Sequence, residues 1–220
     1  MAARVRSAIP LSVPDADVPR EPWAAVVDPS TGKSHIEMNY IRVLNHSLPD
    51  TIRVLGWCEV TPDFSARFSC GTRTYRYFFQ RRRLDVAAMN DAAGRLVGEH
   101  DFRNLAKLDV ANVSNFVRVI QYAKVVPFLG SGRRGDEQAP ATATTEGEGG
   151  GDLFMLEIRG VAFLWHQVRN IMAVLTMVGE GKEDPAVVDA LFDVSSCPAC
   201  PDYMMADERP LVLHHCEVTL

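Results

Sequence analysis

The stretch RTYRYFF, residues 73–79, alternates in a way that only an extended chain can use. Successive side chains of a strand point to opposite faces, so Arg73, Tyr75, Tyr77 and Phe79 share one face, while Thr74, Arg76 and Phe78 share the other. Aromatic residues suit a pleated, half-buried surface. A strand here predicts a sheet, and the segments around it set the kind of sheet.

Downstream, Asp85 has the short acceptor side chain that an N-cap needs, and a helix over 86–97 would bury Met89, Ala92, Ala93 and Leu96 before Gly98 stops it. GEHDFRNLAKLD then reads as a polar loop carrying Phe102. Strands are predicted at 116–126 and 153–159. Between them lies GSGRRGDEQAPATATTEGEGGGD, too poor in large apolar residues to offset its ordering entropy, so a disordered insertion is expected near 130–151. A helix over 163–178, a second at 185–192 with proline in its first turn, and a closing strand LVLHHCEV complete the series. Upstream, IEMNYIRVLNHSL suits a helix over 36–48 closed by Pro49, and TIRVLGWCEV suits a strand over 51–60. Residues 1–35 are rich in Pro, Asp and Ser without a period and read as linker. Strand, helix, strand, strand, helix, helix, strand is the order of an α+β domain with helices on one face of an antiparallel sheet.

The chain has 220 residues, 47% hydrophobic, and can bury a substantial core. No apolar run reaches the roughly 18 residues of a membrane span, and the N-terminus lacks the apolar core of a signal peptide. Cys58, Cys70, Cys197, Cys200 and Cys216 form an odd, scattered set, which predicts a reducing compartment; the expected location is inside the cell, in nucleus or cytoplasm, with an organelle left open. The formal charge of −5 argues against indiscriminate nucleic-acid binding, yet Arg67, Arg73, Arg76, Arg81, Arg82 and Arg83 fall between Asp63 and Asp85 with no acidic residue among them. Arginines interleaved with rings provide phosphate contacts and stacking together, the pairing that RNA needs.

FLWHQVRN, residues 163–170, poses a separate question. Leu164, Val168, Ile171, Leu175 and Val178 recur on one helical face, while His166, Arg169, Ala173 and Thr176 fall on another. A guanidinium in so apolar a helix meets either water or an anion in a cleft.

LNHSLPDTIRV (44–54), FSARFSCGTRTYRYFF (64–79), GEHDFRN (98–104) and FLWHQVRN, in this order, resemble the TruA family of tRNA pseudouridine synthases, and NLAKLDVANVSNFVR (104–118) resembles its eukaryotic branch that modifies the anticodon arm. The resemblance covers residues 36–220. It implies the pseudouridine synthase fold of two ferredoxin-like α+β halves, here with residues 36–83 as the remainder of an incomplete first half and 84–220 as the second. It implies isomerisation of uridine to pseudouridine without a cofactor, tRNA as partner, and a homodimer in which one tRNA touches both subunits. An aspartate attacks the nucleotide, which must first leave its stack. By position in the motifs, Tyr75 packs on the flipped base and Arg169 pairs with the catalytic carboxylate. Phe102 is either core or part of the cleft near the target nucleotide, His166 is a structural group or a support behind the RNA contacts, and the six arginines are candidate RNA contacts. A carboxylate in a dry cleft would take up a proton unless a guanidinium holds it ionised.

The family's aspartate sits in a G-R-T-D motif upstream of the LNxxLP segment, and no aspartate in this chain follows Arg-Thr. The expectation is a chain that begins after the catalytic loop, binds RNA weakly and catalyses nothing alone. A non-catalytic RNA-binding module with a synthase-like fold is the rival. Cys197 and Cys200, with His214, His215 and Cys216, lack the spacing of a zinc site, and no metal is expected.

Overall fold

The computed structural model describes residues 25–27, 31–36, 39–58, 60–107, 113–128 and 152–218. Two units divide the chain, one ending at Ala66 and the other beginning at Arg67.

In the first unit, β1 (Ala25–Val27) and β2 (Ser34–Ile36) pair antiparallel, inside the stretch expected to be linker. Helix α1 (Tyr40–Ser47) starts later than the predicted 36, because Ile36 is engaged opposite Ala25 and Asn39 caps the helix by accepting from the Arg42 N–H. Pro49 ends it, since the residue before a proline is driven out of the helical region and Leu48 is extended. The strand expected over 51–60 is absent among the described residues of that stretch. Val54 finds its partner elsewhere: Asn45 accepts from its N–H (2.8 Å) and donates to its carbonyl (2.9 Å). One side chain thus satisfies the backbone pair that a neighbouring strand would have used.

The second unit is a five-stranded antiparallel sheet in the order β4-β5-β6-β3-β7. Its strands are β3 (Cys70–Gln80), β4 (Gly98–Asp101), β5 (Val117–Pro127), β6 (Leu153–Gly160) and β7 (Leu211–Val218). Helices α2 (Val86–Arg95), α3 (Gln167–Gly179) and α4 (Val187–Phe192) are interspersed. β3 therefore belongs to the sheet of the second unit.

Register sets the faces. Tyr75, Tyr77 and Phe79 stand opposite Ile158, Leu156 and Phe154, and Ala123 and Val125 continue those rows on β5. All of these join the hydrophobic core with Met89, Ala92, Ala93 and Leu96 of the α2 segment and Val168, Ile171, Leu175 and Val178 of α3. Thr74, Arg76 and Phe78 share the other face with Arg159, Glu157 and Met155. The alternation of RTYRYFF is the alternation of a sheet covered by helices on its Tyr75 side.

Asp85 caps α2 by accepting from the N–H groups of Ala87 and Ala88. Its own N–H donates to the Gly179 carbonyl (2.9 Å), tying the start of α2 to the end of α3. Gly179 permits that approach, because a Cβ there would lie 2.8 Å from the Met89 sulfur and 3.3 Å from Leu84 Cβ. At Gly160 a Cβ would lie 2.8 Å from the Val119 carbonyl, a backbone atom that cannot yield.

Two expectations need correcting here. GEHDFRN is not a polar loop: Gly98–Asp101 is an edge strand and Arg103–Leu105 a 3-10 turn, with Phe102 fully buried between them. And α3 begins at Gln167 rather than 163, because His166 takes a left-handed conformation (φ 60°) that no helix can include. The insertion near 130–151 lies outside the described residues.

Candidate active site

Residues 161–166 turn from β6 into α3 and are held from three sides. Arg73 donates to the carbonyls of Val161 and Arg67, both at 2.7 Å. Gln167, itself buried, accepts from the Leu164 N–H at 2.7 Å. Phe163 meets Tyr75 edge to face, with ring centroids 5.0 Å apart. The loop is fixed by a strand residue, a helix residue and a ring on the sheet.

Arg169, on the first turn of α3, has a side chain only 15% exposed. Its Nε donates to the Ala206 carbonyl at 2.7 Å, and a terminal nitrogen lies 2.9 Å from Glu208, whose side chain is 71% exposed. The neighbouring Tyr77 hydroxyl donates to the Asp207 carbonyl at 2.9 Å, so residues 206–208 are clasped by a helix residue and a strand residue together. Arg209 holds the Asp207 carboxyl down at about 2. The question posed by FLWHQVRN has an answer in this fold: the arginine meets a carbonyl and a carboxylate.

Burial raises the Tyr75 phenol above its ordinary value, against an opposing pull from Arg73. It is therefore a neutral hydroxyl at physiological pH, able to donate a hydrogen bond. His166 is shifted the other way: burial lowers it first, then the positive charges of Arg169 and Lys107, with Glu208 opposing. Its Nδ1 is buried with no hydrogen-bond partner among the described residues. A neutral imidazole with an unanswered nitrogen, in a strained backbone conformation, stands beside a paired guanidinium.

The remaining expected residues scatter. Arg76 lies on the opposite sheet face, paired with Glu157 at 2.7 Å. Arg67 sits over Phe68 (5.3 Å to the ring centroid). Arg81, Arg82 and Arg83 form an exposed turn beyond the far end of β3, where the N–H groups of Arg81 and Arg82 donate to Asp152 and Arg82 has φ 47°. Phe102 is fully buried, edge to face with Phe192 at 5.0 Å, which leaves it a packing role and no surface to offer a nucleotide. Cys200 directs its thiol at the Asn104 carbonyl, and His214 faces Arg76 and Glu157. Among the described residues no three His, Cys, Asp or Glu side chains converge as metal ligands.

Three features escaped the sequence. Glu208 and the Ala206 carbonyl are the partners of Arg169, in a segment without a recognisable period. Trp165 and Lys107 face one another across the loop (4.7 Å). Asn104 staples the chain after α4 by donating to the carbonyls of Leu191 (3.0 Å) and Cys197 (2.7 Å), while its own carbonyl accepts from Tyr203 (2.8 Å). The GEHDFRN motif contained that last residue, but nothing in it pointed ahead to residue 191.

An antiparallel sheet with helices on one face is the α+β arrangement that the sequence implied. A family model described as tRNA pseudouridine synthase matches residues 92–217, and the chain belongs to that family. It is 48% identical over 182 residues to the tRNA pseudouridine(38/39) synthase of Mus musculus, 47% to that of Homo sapiens, and 38% over 183 residues to that of Saccharomyces cerevisiae. Each match covers 82% of this chain, and the chain spans 36% of the mouse and human proteins and 37% of the yeast protein.

Proposed function

We propose that this chain is part of an enzyme that isomerises uridine to pseudouridine in the anticodon arm of tRNA, at the positions named for its mammalian and yeast relatives. The observation that carries the reading is Arg169: almost buried, anchored through Nε, with a terminal nitrogen turned to a carboxylate near Tyr77, on the strand that also carries Tyr75. The Glu208 side chain is mostly in water, so its exchange for another carboxylate at Arg169 changes the energy little. In the working site the attacking aspartate takes that place and is kept ionised. Tyr75 presents a neutral ring and hydroxyl to the flipped base. The uracil needs room to rotate and no cofactor to do so. The enzyme acts on tRNA inside the cell, in nucleus or cytoplasm, as a homodimer.

Because no aspartate in the sequence follows Arg-Thr, this reading assigns positioning and RNA binding to these 220 residues and the nucleophile to none of them. The test is a hybrid in which this chain replaces the matching segment of the mouse relative. Pseudouridine formation in an anticodon-arm RNA, read by base-specific chemical mapping, is expected from the hybrid and not from the chain alone. A hybrid that folds and binds the RNA but makes no pseudouridine contradicts the reading, and product from the chain alone contradicts the assignment of the nucleophile.

A further inference from the structure

Trp165 leaves 55% of its surface exposed in a loop that the rest of the domain holds in place. It neighbours His166, with ring centroids 4.5 Å apart, and the Lys107 ammonium lies 4.7 Å from its own ring. The Lys107 N–H donates to the Trp165 carbonyl at 3.0 Å, which fixes the two backbones against one another while the lysine side chain remains exposed. His166 feels the charges of both Arg169 and Lys107. Arg169, His166, Trp165 and Lys107 thus form a path from the nearly buried guanidinium to the surface, with two adjacent rings between two cations.

From this path we infer a second nucleotide subsite, distinct from the Tyr75 position: an unpaired RNA base next to the target uridine stacks on Trp165 while Lys107 meets its phosphate. The inference rests on the tRNA reading above. Magnitudes decide whether a base can take the ring from the ammonium. An exposed cation–π contact contributes about 0.5–1 kcal/mol, whereas stacking a base on an aromatic side chain contributes about 1–3 kcal/mol. The base wins, and the displaced ammonium, on a flexible four-carbon stem, stays within reach of the backbone that carries the base. A base lodged there would keep its neighbour from restacking. That role suits an enzyme that must hold a uridine out of its helix.

The test uses the 220-residue chain and an anticodon-arm stem-loop RNA at low salt. Trp165→Ala is expected to weaken binding on the order of tenfold, Trp165→Phe to stay within about threefold of the parent, and Lys107→Ala to lower the salt slope of binding by about one. With Trp23 and Trp57 replaced by Phe, the emission of Trp165 should be quenched by the stem-loop and not by a fully paired duplex of the same length. Equal affinity of the parent and Trp165→Ala, or quenching by duplex and stem-loop alike, overturns the subsite alone. No binding by the parent overturns the tRNA reading and the subsite with it.

Discussion

Arg169 and the run Arg81, Arg82 and Arg83 carry the same side chain and live in different physical worlds. Arg169 is nearly buried and anchored at Nε. The run stands in solvent on a turn whose backbone, not its guanidinium groups, is held by Asp152. A buried guanidinium organises whatever anion it meets, because its own position is determined by the core. An exposed one adds charge that salt screens. The difference separates chemistry from attraction, and it makes distinct experimental signatures.

The largest expected effect on binding comes from reversing the exposed run. Replacing Arg81, Arg82 and Arg83 with Glu should weaken RNA binding and lower the magnitude of its logarithmic salt slope by about two to three, as expected if all three meet phosphates. The rate of pseudouridine formation at saturating RNA in the hybrid should not change. An unaltered slope, measured between low and physiological salt, would mean that the turn takes no part in binding.

A smaller effect belongs to the buried region. The unfolded His166 imidazole titrates near 6.5, and in the fold burial and its cationic neighbours pull it lower. Just below 6.5 the unfolded chain binds more protons than the native one. Stability therefore falls as pH drops through that window. His166→Gln should flatten the loss of Tm between pH 7.5 and 5.5 relative to the parent, the remaining slope including His214, which burial also lowers. Equal slopes for parent and variant would show that His166 does not sense its surroundings.

Much of this architecture was readable in order along the chain. The two-residue period of RTYRYFF and the Asp85 cap are local properties, and both segments fold as the sequence implies. TIRVLGWCEV failed because strand propensity describes a surface, not a partner, and Asn45 supplied the partner instead. GEHD pairs with β5 although its composition is polar, since an edge strand needs one buried face at most. The false start of α3 has a similar cause: periodicity cannot register a backbone angle, and residues 161–166 form a turn that includes the left-handed His166 before the helix begins. At the candidate site, Tyr75 and Arg169 could be singled out because they lie in motifs. Glu208, Trp165 and Lys107 were not, because each becomes relevant only through contacts between segments distant in sequence.

The central claim is that Arg169 exists to hold a carboxylate beside the strand that carries Tyr75 and Tyr77, and single-turnover pseudouridine formation by the hybrid carrying Arg169→Ala tests it most directly. With RNA binding followed in parallel, the account expects affinity within about threefold of the parent and a rate lower by at least about a hundredfold, the range over which a preorganised charge acts in a dry site. A rate equal to that of the parent, from a variant that remains folded and bound, would contradict it.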